Sequence, residues 1–237
     1  MVFDLVLAGL VVVGADRAAR NAGLGAATRR RLRLGLVAGL TGWLALAVVV
    51  AAAAFSPLHP AVFGLIGGPV VVGLALLAAS PTWRAVVDAV PHHWLVAGQT
   101  YRVIGALFLV LWMQGELPAY FAIPAGVGDV LTGVAAIGVG ALVVQRVRGW
   151  RATAGGWNLL GLGDLVVAVG AGSTLLAGPL STVFAAETST AAIVAFPLGL
   201  IPMFLVPISI TLHCYSLRGL VREQSSTAAA TDRHSRA

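Results

Sequence analysis

We predict an all-α, polytopic integral membrane protein with seven transmembrane helices from three features of the sequence. The first is composition: hydrophobic residues make up 59% of the 237 residues and charged residues only 10%, with a mean hydropathy of +0.94. A soluble domain carries about 25% charged residues. The second is a series of apolar runs close to the roughly 20 residues that cross a bilayer. The third is the placement of the arginines between those runs.

Seven apolar runs define a membrane domain over residues 1–217. Each is predicted to form one helix, and they lie near residues 2–15, 34–55, 60–80, 99–115, 119–145, 153–176 and 190–217. The first is the shortest, since a helix of about fifteen residues is about 22 Å long and the hydrocarbon core is about 30 Å thick. We interpret it as a short spanning helix that continues towards Arg20. Residues 218–237 are polar and lack periodicity, which predicts a disordered tail.

The arginines orient the chain. All 15 of the Lys and Arg residues are arginine, and if each run crosses once, all but Arg102 fall in segments on one side of the membrane. This positive-inside bias predicts a multi-pass protein of the cell membrane (inner or plasma), with its N-terminus outside and its tail in the cytoplasm. The charges therefore indicate a lipid bilayer as partner and no nucleic acid, with anionic headgroups near Arg29, Arg30, Arg31 and Arg33.

Residue content excludes several classes of site. Cys214 is the single cysteine, so neither an intrachain disulfide nor a cysteine-based metal site is available. The chain contains no lysine, which excludes a retinal Schiff base. No phosphate loop, nucleophile elbow or metal-ligand spacing occurs, and we predict no cofactor and no metal.

Two aspartates in matching settings interrupt the fifth and sixth runs. Residues 126–136 have the sequence GVGDVLTGVAA and residues 161–171 have GLGDLVVAVGA, so Asp129 and Asp164 each follow a Gly-x-Gly. The two runs are joined by a short turn, which predicts an antiparallel hairpin. Counting from opposite ends of that hairpin places both carboxyls about 15–17 Å deep, at the middle of the bilayer.

Small residues surround both acids at helical spacing. Such residues let helix backbones approach closely in a membrane, so we expect both acids to face helix contacts and not lipid. The glycines predicted to permit this approach beside the acids are Gly126, Gly128, Gly161 and Gly163. The wider stripes comprise Ala122, Gly126, Asp129, Gly133, Ala136 and Gly140 on the fifth helix, and Gly161, Asp164, Ala168 and Ala171 on the sixth.

The aspartate pair predicts proton chemistry. An ionised aspartate at the centre of a membrane helix costs about 2.5–3.5 kcal/mol, and two neighbouring carboxyls cannot both ionise cheaply. We therefore expect either a shared proton or a strongly raised pKa. Our leading hypothesis is a proton- or cation-coupled transport role. Arg102 is the basic residue of a predicted helix that could approach the pair, but a run starting at residue 99 places it near the inner end. Asn158 is a candidate hydrogen-bond partner of the acids.

Three alternatives use the same two residues. The sequence GLGD, ending at Asp164, resembles the Gly-x-Gly-Asp motif of presenilins, signal peptide peptidases and prepilin peptidases. That four-residue resemblance implies an intramembrane aspartyl protease in which Asp129 is the second acid. A second alternative is another membrane-embedded enzyme acting on a lipid-soluble substrate, such as a small terpenoid cyclase, with an aspartic acid as general acid. In the third, both carboxyls are protonated and only hold helices together.

Overall fold

The computed structural model describes residues 1–173 and 189–235, with side chains as far as residue 223, and the regular structure in these ranges is helical. The α-helices described are α1 Val2–Asn21, α2 Ala26–Ala52, α3 Pro60–Ala79, α4 Pro81–Asp88, α5 His92–Ala97, α6 Ala106–Met113, α7 Ala119–Gln145, α8 Trp150–Gly172 and α9 Val206–Ser235. They are accompanied by 3-10 helices at Gly98–Gly105 and Thr190–Val194 and by a π-helix at Ile201–Leu205.

Six helical segments of the described chain are long and apolar enough to cross a membrane. They are Ala26–Ala52, Pro60–Ala79, His92–Met113, Ala119–Gln145, Trp150–Gly172 and Ile201–Glu223. Much of each segment remains exposed, with between 11% and 56% of its most apolar window buried inside the protein. An apolar surface of this extent fits lipid as the surrounding solvent, which agrees with the predicted class of polytopic helical membrane protein.

The first helix is longer than predicted but is not among the six. It extends from Val2 to Asn21, because the chain stays helical through the charged residues at its end. Asp16 and Arg20 lie one turn apart on this helix and pair at 2.5 Å. Four of the twenty residues of α1 are charged, which is too many for a clear membrane span. They are Asp4, Asp16, Arg17 and Arg20.

Two other helices begin earlier than the hydropathy predicted. The second begins at Ala26 rather than near residue 34, so the arginines of residues 29–33 lie on the helix itself. Arginine is a good helix former, which explains why a polar stretch extends the helix there. The fourth span begins at His92 rather than at residue 99, and it consists of α5, the 3-10 helix Gly98–Gly105 and α6.

The predicted tail, residues 218–237, begins inside a helix. The last helix continues from Val206 to Ser235. Within that stretch Glu223, Gln224 and three consecutive alanines at residues 228–230 favour a helix that is already nucleated. The predicted last run, 190–217, itself divides into the 3-10 turn Thr190–Val194, the π-helix Ile201–Leu205 and the start of α9. The end of the sixth predicted run, residues 174–176, lies outside the described residues.

The centre of the bundle is α7. It packs against the 3-10 helix Gly98–Gly105, α8, α6 and α5, while α9 packs against α8, α3 and α5. The face of α7 that makes these contacts is the predicted one, since all six residues of its small stripe are buried: Ala122, Gly126, Asp129, Gly133, Ala136 and Gly140. One end of the bundle contains the first residues of α2 and α8 and the last residues of α3 and α7. We call it the arginine-rich end.

Candidate functional site

A buried arginine lies at the centre of the candidate site. The guanidinium of Arg102 donates from Nε to Asp129 Oδ1 at 2.7 Å and from Nη2 to Asp164 Oδ2. Its Nη1 donates to the carbonyl of Gly161 at 3.2 Å and contacts Nε2 of His213 at 3.3 Å. The side chain of Arg102 is 2% exposed, and those of Asp129 and Asp164 are 10% and 13% exposed. These three residues form one buried unit, which we call the Asp–Arg–Asp cluster.

The fourth span places Arg102 at mid-depth. Arg102 is ten residues from His92, where the span begins, and eleven from Met113, where it ends. The prediction that it lies near the inner end is therefore wrong, because seven residues that hydropathy assigned to a loop belong to the helix. A 3-10 helix also rises about 2.0 Å per residue, more than an α-helix, so the segment Gly98–Gly105 carries the arginine deeper still.

The two aspartates come from the predicted hairpin. Asp129 lies on α7 and Asp164 on α8, and the two helices pack along each other after a turn of four residues, 146–149. Both carboxyls reach the same guanidinium, so the hairpin does bring them to one depth. From the sequence we expected a shared proton or a raised pKa for the two acids, with Arg102 nearer the inner end. The structure adds a cation that binds both of them.

Glycines make room for the acids at two helix contacts. A Cβ atom at Gly128 would overlap the carboxyl of Asp164, so α7 and α8 could not approach as they do with any larger residue there. A Cβ atom at Gly105 would likewise overlap the side chain of Asp129. Gly128 was predicted to have this role, whereas Gly105, at the end of the 3-10 helix, was not.

The other three predicted glycines differ from one another. A Cβ at Gly126 would lie 2.7 Å from a side-chain carbon of Leu109, and one at Gly161 would lie 2.6 Å from the imidazole of His213. Both glycines therefore permit close packing, as predicted. Gly163 does not: it is exposed, and a Cβ there would meet nothing within 4 Å. The prediction for Gly163 is wrong because it faces away from the helix contact that its neighbours make.

A chain of side-chain hydrogen bonds leads from the cluster towards the arginine-rich end. His213 Nδ1 lies 2.8 Å from Asn158 Oδ1, the Asn158 amide donates to Ser216 Oγ at 2.9 Å, and Ser216 Oγ lies 3.2 Å from Nε2 of His92. Arginine has no acceptor, so Nε2 of His213 accepts from Arg102 and Nδ1 carries the hydrogen that is donated to Asn158. The network thus assigns a neutral tautomer of His213 with its hydrogen on Nδ1.

Asn158 does not contact the aspartates, although it was predicted as their partner. Its amide nitrogen also donates to the carbonyl of Ala154 at 2.7 Å, so both hydrogens of the amide and its oxygen are used. The side chain is fully buried. Asn158 acts on the cluster through His213, whose ring it holds in the orientation that Arg102 requires.

A second polar set fixes the 3-10 helix against α9. The Gln99 amide donates to the carbonyl of Ser209 at 2.9 Å, and the Ser209 hydroxyl donates back to Gln99 Oε1 at 2.7 Å. The Tyr101 hydroxyl lies 2.7 Å from both the carbonyl of Leu205 and Ser209 Oγ. Because Gln99 and Tyr101 flank Arg102 closely in sequence, these bonds hold the backbone that carries the guanidinium.

A narrow cavity approaches the cluster from the end opposite the arginine-rich end. It has a volume of about 40 Å³, and Asp129 lies in its wall. Its other lining residues are mostly apolar and extend to Pro57, Ser173 and Ile193, where the spans end. A water molecule requires roughly 10–15 Å³ of such space, so the cavity is large enough for water and far smaller than the roughly 300–1,000 Å³ of a typical ligand pocket.

Sequence reasoning missed His213, Ser209 and Ser216 as parts of the site. A signal was present, because these residues recur at steps of four and three on a helix that is otherwise apolar, and so share one face. His92 lies before the predicted fourth run, which starts at residue 99, yet it ends the hydrogen-bond chain. Among the side chains that the structure describes, residues 1–173 and 189–223, no group of three or more His, Cys, Asp or Glu residues is arranged to hold a metal ion.

One comparison with known proteins gives a match. Residues 59–221 match the model of a family described as a domain of unknown function, DUF8737. The match covers more than half of the chain, includes every residue of the Asp–Arg–Asp cluster, and omits α1 and α2. No curated protein and no solved structure shows significant similarity to the chain.

Proposed function

The chain belongs to the DUF8737 family, and we propose that it binds a single exchangeable proton at the Asp–Arg–Asp cluster as part of a proton-coupled transport cycle. The observation that carries this proposal is the binding of one buried guanidinium to two carboxyls in the middle of the spans.

The charge of the cluster leaves a place for one proton. Arginine stays protonated in proteins, so Arg102 with two ionised aspartates carries a net charge of −1. A net charge away from water is costly, whereas one added proton makes the cluster neutral. A second proton would restore a net charge, now positive. Burial therefore favours the state in which Asp129 and Asp164 hold one proton between them.

Access to the cluster differs between its two sides. Asp129 lines the narrow cavity that leads to the end opposite the arginine-rich end. On the other side, the hydrogen-bond chain begins at Arg102 and includes Asn158, and neither a guanidinium nor an amide readily releases a proton. Among the described residues, these contacts favour proton access to the cluster from one side, which is the arrangement that an alternating-access cycle needs in one of its states.

Two irregular segments next to the cluster supply places where the helices could rearrange. The 3-10 helix Gly98–Gly105 carries Arg102, and mid-helix 3-10 stretches often mark hinges. The π-helix Ile201–Leu205 precedes Pro207 on α9, and π-bulges are frequent at functional sites. Pro207 cannot donate to the carbonyl of Met203, and the indole of Trp43 binds that carbonyl instead at 2.9 Å.

We further propose that α1 is a seventh crossing. Its twenty residues are about 30 Å long, which matches the hydrocarbon core. Apolar side chains such as Val6, Leu10 and Val13 are exposed on it. Seven crossings with the positive-inside rule give an outside N-terminus, a cytoplasmic arginine-rich end and a location in the cell membrane. The arginines of residues 29–33 then lie at the level of anionic headgroups.

The contacts of Arg102 and the small cavity beside Asp129 favour the proton-binding role over the two enzyme alternatives. An aspartyl protease activates a water molecule between its two acids, and here both acids bind the guanidinium instead. A terpenoid-type enzyme needs a substrate pocket beside its acid, and the cavity at Asp129 holds only about 40 Å³. A purely structural role uses the same contacts as the proposal, so proton movement has to be measured to separate the two.

Proteoliposomes that contain a pH-sensitive dye test the transport role. An imposed potassium gradient with valinomycin drives protons inward, and the wild-type protein is expected to raise the flux above that of protein-free vesicles. Asp129→Asn and Asp164→Asn should each reduce it to the protein-free level. The matched control is Asp88→Asn, an aspartate at the arginine-rich end that pairs with Arg218 outside the cluster, and it should retain the flux. Wild-type flux in either cluster variant, or none in the wild type, would contradict the proposal.

A further inference from the structure

We propose that the cleft between α2, α3 and α9 binds an anionic lipid, with the acyl chain along the cleft and the headgroup at the arginine-rich end. The cleft has a volume of about 900 Å³. Its walls are formed by apolar residues of the three helices, among them Trp43, Val72 and Leu212. This site is separate from the Asp–Arg–Asp cluster, and the proposal does not depend on the proton chemistry of that cluster.

The cleft exists because α2 and α3 are consecutive helices that barely contact each other. Six glycines line it, and Gly73 on α3 packs against Thr211 and Tyr215 of α9. The other five are Gly35, Gly39 and Gly42 on α2, and Gly64 and Gly68 on α3. In membrane proteins such small residues usually let two helices pack closely. Here a Cβ atom at any of the five would meet nothing within 4 Å. The glycine-lined walls therefore face space that no described part of this chain fills.

The cleft opens sideways to the surface that the bilayer covers. Leu46 and Val72 line it and are 53% and 57% exposed. Within a bilayer such an opening is reached by lipid and not by water, so a soluble metabolite has no direct route to it. An acyl chain is the apolar group that is present at this depth.

Charge and polarity are confined to one end of the cleft. Arg31 and Thr28 line that end, and further arginines flank Arg31 on the first turns of α2. Trp83 and Tyr215 lie at the same end, where the Trp83 indole donates to the Tyr215 hydroxyl at 2.9 Å. None of the described residues that line the cleft is acidic. A long apolar wall with a cationic, aromatic end complements an amphiphile that has a negative headgroup.

The occupant would lie against the helix that also carries part of the cluster. On α9, Thr211 and Tyr215 face the cleft, whereas His213 and Ser216 face the hydrogen-bond chain. The two sites therefore share one helix through opposite faces. Lipid binding is nevertheless testable in a protein whose cluster has been neutralised, which keeps the two proposals distinguishable.

Binding is tested on purified, delipidated protein by native mass spectrometry with added phosphatidylglycerol or phosphatidylcholine of the same acyl chains. The wild-type protein is expected to retain one phosphatidylglycerol in preference to phosphatidylcholine. Arg31→Gln should weaken that preference about fivefold, the factor that corresponds to the roughly 1 kcal/mol contributed by one arginine near an anionic headgroup. Arg148→Gln, an exposed arginine in the α7–α8 turn, is the matched control and should leave it unchanged.

The acyl-chain part of the proposal is tested by filling the cleft. Gly39→Leu with Gly68→Leu places side chains in open space, so the fold is expected to tolerate them. The double variant should abolish the retained lipid, whereas Gly138→Leu, at an equally open glycine of α7 that does not line the cleft, should not. Inorganic phosphate should not displace the retained lipid, because phosphate makes no contact with the apolar wall of the cleft.

Four results would overturn the proposal. The first is equal retention of the two lipids, and the second is a double variant that binds like Gly138→Leu. The third is displacement of phosphatidylglycerol by inorganic phosphate alone, which would identify the site as one for a free anion. The fourth is crosslinking of the cleft to a second copy of the chain in lipid-free detergent, lost in the Gly39→Leu, Gly68→Leu variant, which would assign the cleft to a dimer interface.

Discussion

Replacement of Arg102 with methionine is the perturbation whose cost follows most directly from the structure. Methionine keeps much of the length of the side chain and removes the guanidinium, so Asp129 and Asp164 lose their shared cation. Arg102 is 2% exposed, which leaves little room for water to replace it. Removal of one partner from a buried ion pair costs about 3–5 kcal/mol, because the remaining charge stays buried and uncompensated.

That cost can be converted into a measurable shift. For chains of 150–250 residues, 1 kcal/mol corresponds to about 2–4 °C in the unfolding midpoint, so Arg102→Met should lower it by about 6–20 °C. The matched control is Arg218→Met, at an arginine that is 32% exposed and lies 3.3 Å from Asp88. An exposed pair contributes about 0–1 kcal/mol, so this variant should shift the midpoint by at most about 4 °C.

A triple variant separates loss of the cation from loss of packing. In Arg102→Met with Asp129→Asn and Asp164→Asn, no charge remains at the site, so most of the stability lost in the single variant should return. Thermal unfolding in detergent, followed by tryptophan fluorescence, measures all of these variants. The reasoning is refuted if Arg102→Met unfolds at the temperature of Arg218→Met, or if the triple variant is no more stable than the single one.

Three further predictions concern the packing and the hydrogen bonds around the cluster. Gly128→Ala should lower the unfolding midpoint markedly because its Cβ would overlap the carboxyl of Asp164, whereas Gly163→Ala should be tolerated because its Cβ meets nothing within 4 Å; thermal unfolding compares the two. His213→Leu releases the guanidinium from its fixed orientation, so the proton flux in vesicles should fall even where the unfolding midpoint stays near that of the wild type. A flux that falls only in proportion to the loss of folded protein would indicate a packing role alone. In nitrogen-15 NMR, His213 should show the neutral tautomer with hydrogen on Nδ1, and Asn158→Leu should abolish that preference.

The depth and the facing of the aspartates could be predicted from sequence. Asp129 and Asp164 interrupt long apolar runs at countable distances from opposite ends, and the rise of a helix converts those counts into depth. The small-residue stripe of α7 indicated which face packs, and all of its members are buried. Depth and facing both depend only on regular helix geometry, which a lipid environment enforces.

The position of Arg102 could not be predicted in the same way. Hydropathy left residues 92–98, which include His92 and His93, outside the fourth run, because a polar residue that faces a buried network has the same hydropathy as one that faces water. In the structure Nε2 of His92 lies 3.2 Å from Ser216 Oγ, at the end of the hydrogen-bond chain. The helix therefore starts seven residues earlier, and the arginine moves from the predicted surface to the middle of the span. For the same reason, hydropathy did not predict the first turns of α2, where consecutive arginines lie on a helix.

The claim that the cluster binds one exchangeable proton is tested most directly by infrared difference spectroscopy of the reconstituted protein between alkaline and acidic buffer. The account predicts a band from a carboxylic C=O group in the wild type and in Asp88→Asn. It also predicts loss of this band in Asp129→Asn and in Asp164→Asn alike, because either substitution leaves one carboxylate that Arg102 already neutralises. A band that persists in either of the two cluster variants would contradict the account.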